Sequence, residues 1–335
     1  MPPNILLVRF SAIGDILLMT PLIRALRQRH PDAGITVVTK AEFAPLLAHN
    51  PRITEVIGWD PGSGLEGLGR RLRQEAWTHR LDLHGSLRSR ALRWRVRGRW
   101  TGYPKHRLDR AVLIRTKRNW YRDSRTVAER YFDAARGLEV VPDAGPPEVF
   151  LPRPAIDAAG AFLSSRGLGT TRQLIALAPG AAHFTKRWPP HHWAALVKRL
   201  VDGGNDVVLV GGPADRADAE SAAAAGEAAA VSAAGAFDLL GSAALLKRAR
   251  ALVSGDTGVM HLATAVGTPV LALFGPTVEQ FGFFPYHAKA TVLQRDLSCR
   301  PCSSHGTATC PLTHHRCLQD LQPVDVLEAL RKLPR

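Results

Sequence analysis

The feature that most constrains the fold is an alternation of short apolar runs with helical patterns, which occurs twice along the 335-residue chain. The strand-like runs lie at 4–9, 35–39, 56–59, 81–83, 174–178, 206–210, 251–253 and 269–274. Helical patterns follow Thr20-Pro21, where we expect an N-cap and a first-turn proline, and recur at 191–202, 258–266 and 324–332. Strand–helix–strand alternation predicts an α/β fold with parallel sheets covered on both faces.

A proline-rich segment separates the two series. Residues 140–154, VVPDAGPPEVFLPRP, contain five prolines, a composition that disfavours regular structure. We therefore predict two domains, 1–150 and 151–335, each a doubly wound, Rossmann-like unit, facing each other across a central cleft. In such sheets ligands bind beyond the carboxyl ends of the strands, so the polar loops that follow strands are the candidate sites.

The chain contains no apolar run long enough for a transmembrane helix, and its Ala-rich stretch 221–246 is interrupted by charges. Its first residues, MPPNILLVRF, lack the basic region of a signal peptide. These features predict a cytoplasmic protein.

Positive charge is concentrated in one part of the chain. The net charge is +15, and residues 80–136 hold 17 Lys/Arg against 5 Asp/Glu. Such a stretch favours a polyanionic partner, which could be nucleic acid, an anionic membrane face or a phosphorylated glycolipid. Aromatic residues interleave with the charges, at Trp94, Trp100, Tyr103, Trp120 and Tyr121. Both lipid headgroup belts and nucleic-acid sites use this combination, while a merely solvated basic surface is the alternative.

Three loops that follow predicted strands carry candidate chemistry. The first, RFSAIGD at 9–15, brings Gly14 and Asp15 to the end of the first strand. The second, PGAAHFTKRWP at 179–189, brings two cations that suit a diphosphate. The third, SGDTGVMH at 254–261, opens a helix, where backbone N–H groups and a threonine hydroxyl can bind an anion. Each loop, taken singly, also has an ordinary structural interpretation. The first would be a carboxylate at the start of a helix, the second a solvated basic turn, and the third a helix cap.

Together the loops resemble a known family. SAIGD, KRWP and DTGVMHLATAVGTPVLALFGPT are similar to the ADP-heptose:lipopolysaccharide heptosyltransferases of glycosyltransferase family 9, and the likeness extends to about Cys317. The resemblance implies a GT-B fold, inverting transfer from ADP-heptose to the lipopolysaccharide inner core, and no catalytic metal. It also implies an anionic glycolipid acceptor, hence a peripheral location at the cytoplasmic face of the inner membrane, and no nucleic-acid partner.

The resemblance assigns roles to individual residues. Asp15 would be the general base, and Lys186 would contact the donor and stabilise the departing diphosphate. The phosphate-binding turn would comprise Asp256, Thr257, Gly258 and His261. The remaining donor contacts would be Gly14, Asp215, and Leu240 with Gly241 beside the adenine. Domain 1–150 would then bind the acceptor and domain 151–335 the nucleotide sugar. The chain departs from some members at Ala181 and Ala182, where those members have hydroxyl residues.

Four cysteines lie close together in the segment 299–317, at Cys299, Cys302, Cys310 and Cys317. A cytoplasmic protein is not expected to form disulfides, so this spacing favours a structural zinc or iron site, with four reduced thiols as the alternative. Four thiolates would saturate the metal and leave no position for catalysis.

Two other functions are compatible with parts of the sequence. One is a different nucleotide-sugar transferase of the same fold, acting on another glycan or on a protein. The other is a nucleic-acid-binding protein with a zinc knuckle, which leaves Asp15, Lys186 and the DTGVMH turn unexplained. The sequence does not determine the oligomeric state.

Overall fold

The protein, represented by a computed structural model, is described over residues 1–333 and divides into two compact units. The first comprises Met1–Lys105 and Arg125–Phe150, and the second comprises His106–Ser124 and the chain from Leu151 onward. The boundary after Phe150 lies within the proline-rich segment. Residues 106–124 group with the second unit, which differs from the continuous range 1–150 expected for the first domain.

The first unit is built on a parallel five-stranded sheet in the order β3-β2-β1-β4-β5. Its strands are β1 Asn4–Val8, β2 Gly34–Lys40, β3 Glu55–Trp59, β4 His79–Asp82 and β5 Thr101–Gly102. The central strand β1 is apolar and almost fully buried, because helices cover both of its faces. Val8 is in register with Val38 on one side and Asp82 on the other, so the loops after β1, β2 and β4 leave the same edge.

Seven helices lie in the first 150 residues. They are α1 Ile13–Leu17, α2 Thr20–Arg29, α3 Pro45–Ala48, α4 Glu66–Arg73, α5 Leu87–Arg95, α6 Arg107–Thr116 and α7 Val127–Tyr131. Of these, α6 belongs to the second unit. Helix α2 has Pro21 in its first turn as expected, but Thr20 is its first helical residue and Met19 occupies the N-cap.

The second unit contains a parallel six-stranded sheet in the order β11-β10-β9-β6-β7-β8. Its strands are β6 Gln173–Ala178, β7 Asn205–Leu209, β8 Ala230–Ser232, β9 Ala251–Gly255, β10 Val270–Phe274 and β11 Ala290–Gln294. Its further helices are α8 Arg153–Ser164, α9 Pro190–Asp202, α10 Arg216–Ala223, α11 Leu239–Arg248, α12 Gly258–Ala265, α13 Arg316–Gln319 and α14 Pro323–Lys332. When β6 is counted as the first strand of this sheet, the order becomes 6-5-4-1-2-3, which is the strand order of a Rossmann fold.

Each unit has its own hydrophobic core. In the first, Leu6, Val8 and Phe10 pack with Trp59 and Trp77. In the second, buried side chains of β6, β7, β9 and β10 pack against Trp188, Trp193 and the apolar face of α14. Two separate cores explain why the chain forms two units rather than one large sheet.

The segment between the predicted domains is irregular, as expected, until α8 begins at Arg153. It is fixed to the first unit through Arg24, which pairs with Asp143 at 2.5 Å and Glu148 at 3.1 Å. The hydrogen bond from Arg24 lowers the pKa of Asp143 to about 2. The proline-rich segment is therefore anchored at its start.

All eight predicted strands are present, whereas β5, β8 and β11 were not predicted. β5 has two residues, β8 has three, and β11 is only partly buried, so none has the long apolar run of a central strand. Across residues 1–333, no helix is both long and apolar enough to span a bilayer.

Candidate active site

Each sheet has one position where the strand order reverses direction, and the candidate residues lie at these positions. In the first sheet the reversal falls between β1 and β4, and in the second between β6 and β9. Loops diverge there and leave a crevice at the carboxyl ends of the strands, where α/β proteins bind ligands. Asp15 follows β1, whereas Lys186 follows β6 and Asp256 follows β9.

The carboxylate of Asp15 is held by a buried arginine from the same loop. Arg9 Nη2 lies 2.5 Å from Asp15 Oδ1, and the two side chains are 7% and 17% exposed. Arg9 Nη1 also donates to the Leu83 carbonyl at 2.5 Å, which fixes the guanidinium against the end of β4. Burial by itself would lower the pKa of Arg9, but the adjacent Asp15 outweighs it and raises that pKa. The arginine therefore stays charged.

Two tyrosines complete the surroundings of this pair. The Tyr131 hydroxyl donates to Asp15 Oδ1 at 3.3 Å, and Tyr103 Oη accepts from Arg9 Nη1 at 3.4 Å. The tyrosine rings contact each other edge to face, with centroids 4.8 Å apart. Burial raises the pKa of Tyr131 well above its usual value, so its hydroxyl remains a proton donor at neutral pH. Asp15 Oδ1 is thus engaged twice, whereas among residues 1–333 the Oδ2 atom accepts only from the Ala12 amide, at 3.3 Å.

A histidine at the end of β4 faces the same crevice. His84 packs edge-on against Phe10, with centroids 5.1 Å apart, and its backbone N–H donates to Asp82. Burial, reinforced by the charges of Arg9 and Lys105, lowers the pKa of His84 to about 4. The imidazole is therefore neutral at neutral pH, in contrast to the charged groups beside it.

In the second unit, Lys186 and Asp256 form the corresponding pair. Lys186 Nζ lies 2.6 Å from Asp256 Oδ2, and the side chains are 15% and 9% exposed. The same ammonium group donates to the Asp256 carbonyl at 3.2 Å. Thr277, which follows β10, donates its hydroxyl to Asp256 Oδ2 at 2.7 Å. Residues after three adjacent strands therefore converge on one carboxylate.

The turn after β9 runs directly into α12, with Thr257 at the N-cap. Its hydroxyl is hydrogen bonded to Ser254 Oγ at 3.1 Å and does not cap the helix. The first N–H groups of α12, from Gly258 onward, therefore remain directed along the helix axis, as in anion sites. His261 lies one turn further into α12 and is buried.

The segment 299–317 packs on the loop that carries Lys186. Thr307 N donates to Thr185 Oγ1 at 2.8 Å, and Thr185 N donates to the Thr307 carbonyl at 3.2 Å. His315 Nε2 lies 3.2 Å from the Thr185 carbonyl, and its ring contacts that of Phe184 in a tilted arrangement. The Cys-rich segment therefore holds the residue before Lys186 through both backbone groups.

The predicted metal site is not formed. Within residues 1–333, no group of three or more His, Cys, Asp or Glu side chains is arranged to hold a metal. Cys317 is buried in the core beside Leu318. Burial raises the pKa of Cys317 to about 12 and also raises that of Cys302, so both thiols are protonated at neutral pH. Cys299, Cys302 and Cys310 are half-buried in the preceding loop.

The remaining donor-site candidates lie near the carboxyl edge of the second sheet or close to Asp15. Asp215 accepts from Gly212 N at 2.9 Å, and a Cβ on Gly180 would fall 2.0 Å from its carboxylate. The loops after β6 and β7 thus meet so closely that glycine is needed there. Leu240 and Gly241 start α11, where the Gly241 amide donates to the Asp238 cap. Gly14 lies in α1, next to Asp15.

A cavity of about 710 Å³ lies within residues 106–124, the segment that joins the second unit. His106, Asp109, Asn119, Trp120, Tyr121 and Arg122 line it. His106 Nδ1 is 2.8 Å from Asp109, and the exposed Trp120 provides an apolar face. Aromatic faces combined with carboxylate, amide and guanidinium groups suit a polar, ring-shaped ligand.

Sequence reasoning missed Tyr103, Tyr131, His84 and Thr277 as site residues. Tyr131 is 116 residues from Asp15, and no motif connects the two. His84 follows β4, at the reversal point of the first sheet, and Thr277 follows β10, the neighbour of β9, so their positions after these strands were the available signal.

Known proteins resemble this chain over most of its length. The model of glycosyltransferase family 9 (heptosyltransferase) matches residues 66–312. Lipopolysaccharide heptosyltransferase 2 of Salmonella typhimurium is 30% identical, over 98% of this chain and 98% of its own. A family 9 glycosyl transferase structure from Veillonella parvula has a TM-score of 0.82 at 25% identity, covering 98% of this chain and 96% of its own.

The structure of E. coli ADP-heptose LPS heptosyltransferase II has a TM-score of 0.75 at 28% identity, covering 98% of each chain. The predicted fold class, two Rossmann-like α/β sheets of the GT-B type, is confirmed. The chain belongs to glycosyltransferase family 9, the heptosyltransferase family, and is a glycosyltransferase.

Proposed function

We propose that this enzyme transfers heptose from ADP-heptose to the inner core of lipopolysaccharide, inverting the anomeric configuration, with Asp15 as the general base. The observation that carries this proposal is the geometry of Asp15. Arg9 and Tyr131 fix one carboxylate oxygen, and the only hydrogen bond that the other accepts from the described residues comes from the Ala12 amide, at 3.3 Å. A held carboxylate with one less engaged oxygen suits proton abstraction from a bound hydroxyl.

The proposed reaction is a single displacement. Asp15 Oδ2 takes the proton from the acceptor hydroxyl as its oxygen attacks the anomeric carbon of heptose, and the bond to the diphosphate of ADP breaks on the opposite face. Arg9 stays charged beside Oδ1, so it orients the carboxylate toward the acceptor hydroxyl. The neutral imidazole of His84 adds no positive charge to this crevice at neutral pH.

Lys186 stabilises the charge that develops on the leaving diphosphate. Asp256 holds its ammonium group 2.6 Å away, and Thr277 fixes Asp256 in turn. The N–H groups at the start of α12 add positive potential from the helix terminus, with Thr257, Gly258 and His261 beside them. These groups provide leaving-group stabilisation without a catalytic metal. Asp256 acts here through Lys186, since a carboxylate would repel a phosphate directly.

The rest of the donor site comprises Asp215, Leu240, Gly241 and Gly14. Asp215 lies at the ends of β6 and β7, where a carboxylate can accept hydrogen bonds from sugar hydroxyls. We assign donor binding to the chain from residue 151 onward and acceptor binding to residues 1–150, including the cavity at 106–124 with its exposed Trp120.

The acceptor is an anionic glycolipid, which places the enzyme at the cytoplasmic face of the inner membrane as a peripheral protein. The basic stretch 80–136 supports this assignment. Several of its arginines are neutralised within the protein, for example Arg93 by Asp82 and Arg125 by Asp133. Others, including Arg115, Arg118 and Arg122, have no ion pair with residues 1–333 and remain available to an anionic partner.

A donor comparison tests the proposal. Purified enzyme is given ADP-heptose or UDP- and GDP-sugars, with heptose-deficient lipopolysaccharide as acceptor, and the product is followed by mass spectrometry. We expect a mass increase of one heptose from the ADP donor alone, and the opposite anomeric configuration by NMR. Transfer from UDP- or GDP-sugars instead would assign the enzyme to another nucleotide sugar, and retained configuration would exclude the single displacement.

A further inference from the structure

Helix α5 presents an unusual pair of apolar side chains to solvent. Leu87 is 84% exposed and Trp94 is 81% exposed. They are seven residues apart, which places them on the same face of the helix about two turns from each other. A tryptophan and a leucine on the same exposed helix face form an apolar surface that is not buried within the fold.

The opposite face of α5 accounts for its stability. Ser89 and Leu92 are buried, and Ser86 caps the helix by accepting from Ser89 N at 3.2 Å. Ser89 Oγ also donates to the buried Asp82 at 3.0 Å. The helix is thus held against the first sheet without any contribution from Leu87 or Trp94.

Arginines surround the apolar pair. Arg88 lies over the Trp59 ring, and the others fall into two groups. Arg93 pairs with Asp82 at 3.7 Å and Arg95 with Glu66 at 3.4 Å, so their charges are partly neutralised. Arg90, Arg97 and Arg99 are exposed and make no ion pair with any described residue. We call Leu87, Arg90, Trp94, Arg97 and Arg99 the α5 surface. No acidic residue lies between positions 87 and 100, so the charge of this surface is uniformly positive.

We infer that the α5 surface docks the enzyme on an anionic phospholipid bilayer. The indole and the leucine side chain would enter the level between headgroups and acyl chains, while the three arginines contact lipid phosphates. Nucleic acid would also attract the arginines and could stack on Trp94, but it gives no reason for an exposed leucine two turns away on the same face. Leu87 therefore favours a lipid surface.

This inference builds on the peripheral location proposed above but not on the reaction. The α5 surface contains neither Asp15 nor Lys186, and vesicle binding does not depend on which sugar is transferred. If vesicle binding fails, the proposed sugar transfer can still be tested by the donor comparison. If sugar transfer fails, bilayer docking can still be tested by vesicle binding.

Vesicle co-sedimentation of the full-length protein tests the inference. We expect binding to phosphatidylcholine vesicles that contain phosphatidylglycerol, weaker binding at high salt, and little binding to phosphatidylcholine alone. L87S/W94S should reduce affinity for the anionic vesicles about tenfold or more, because interfacial apolar burial is lost. R90E/R97E/R99E should reduce it by about a hundredfold or more, since each cation near the surface contributes about fivefold.

Matched controls come from the second unit. L312S/V324S removes two side chains that are 56% and 55% exposed there, and it should leave vesicle affinity unchanged. Melting temperature and ADP affinity show that each variant is folded. The inference is overturned if wild-type protein ignores anionic vesicles, or if L87S/W94S binds them as tightly as L312S/V324S. Binding of a single-stranded oligonucleotide, without vesicle binding, would also overturn it and identify a nucleic-acid surface.

Discussion

The Arg9 guanidinium lies 2.5 Å from the Asp15 carboxylate, directly after the central strand of the first sheet. The second unit has a counterpart in Lys186 and Asp256, 2.6 Å apart and also located where the strand order reverses. In the proposed reaction the two pairs act in opposite senses. In the first pair the carboxylate of Asp15 reacts, and Arg9 positions it. In the second pair the ammonium group of Lys186 acts on the leaving diphosphate, and Asp256 positions that ammonium group.

Replacing Asp15 by Asn should abolish transfer, because an amide cannot accept the acceptor proton. We expect kcat to fall by about a hundredfold to ten-thousandfold, while ADP affinity stays near normal. The variant also leaves Arg9 buried beside a neutral group, so its melting temperature should fall. Initial rates, ADP titration and thermal melts separate these effects. Asp32→Asn, an exposed acid of the same unit, is the control. Near-normal turnover of Asp15→Asn would remove Asp15 as the base.

Replacing Tyr131 by Phe removes the hydroxyl that donates to Asp15 at 3.3 Å but keeps the ring packed against Tyr103. Because Tyr131 acts through Asp15, kcat should fall about threefold to tenfold, the size expected for one lost hydrogen bond, with little change in either KM. The pH dependence of kcat should shift as well, which a merely structural role would not cause. Tyr286→Phe in the second unit is the matched control. An unchanged kcat and pH profile for Tyr131→Phe would show that the hydroxyl does not position the base.

The sequence predicted the central elements of both sheets because their strands are continuous apolar runs, as in β1 and β9. Position after a strand was also enough to identify Asp15, Lys186 and Asp256 as candidates. The contacts of these residues could not be predicted in the same way. Thr277 reaches Asp256 from the loop after a different strand, and Tyr131 reaches Asp15 from a helix far along the chain, so both contacts depend on tertiary structure.

The cysteine prediction failed for a related reason. Spacing along the chain says how far apart Cys310 and Cys317 are in sequence, but not which way each side chain points. Cys317 lies in α13 and is buried in the core of the second unit. A metal site needs all ligands to converge on one point, which spacing alone does not ensure.

Lys186 and Asp256 should show coupled effects on stability, whereas activity should depend on whether Lys186 is present. Lys186→Met should reduce kcat/KM for the donor about a hundredfold or more, as when a group that stabilises transition-state charge is lost. It should also destabilise the fold, because Asp256 is 9% exposed and loses its cation. In Lys186→Met/Asp256→Asn the melting temperature should recover in part, whereas activity should not.

Thermal melts and donor kinetics of the two single variants and the double variant form the required cycle. Lys198→Met, which removes an exposed ion pair with Asp202, is the control and should behave like the wild type. Recovery of activity in the double variant would contradict the assigned role of Lys186. Absence of any stability recovery would mean that the pair is not coupled.

His84 predicts a pH dependence of stability. Its pKa is lowered to about 4 in the folded protein, against an ordinary value of 6.5, so the unfolded chain binds its proton more tightly. The contribution of His84 to the free energy of unfolding is therefore fully present above pH 6.5, and it is lost as the pH falls towards 4. Allowing for solvent screening, we expect about 1 kcal/mol less stability at the acidic end of this range.

Urea denaturation of the wild type and His84→Gln, compared at neutral and mildly acidic pH, measures this contribution. The lowered pKa values of His79, His192 and His315 affect both proteins equally, so the difference in slope belongs to His84. Identical pH slopes in the two proteins would show that His84 is not neutral and buried as described.

Removal of metal should leave the protein intact, and the four cysteines should differ in importance. Prolonged treatment with a strong chelator is expected to leave the melting temperature unchanged, because the thiols do not converge as ligands in the described chain. Cys317→Ser should destabilise by about 1–3 kcal/mol, since it puts a hydroxyl without an assigned partner into an apolar core. Cys310→Ser, at a half-buried loop position, should cost much less. Equal losses of stability in both variants, together with a chelator-induced fall in melting temperature, would contradict this prediction and would indicate that the cysteines bind a metal.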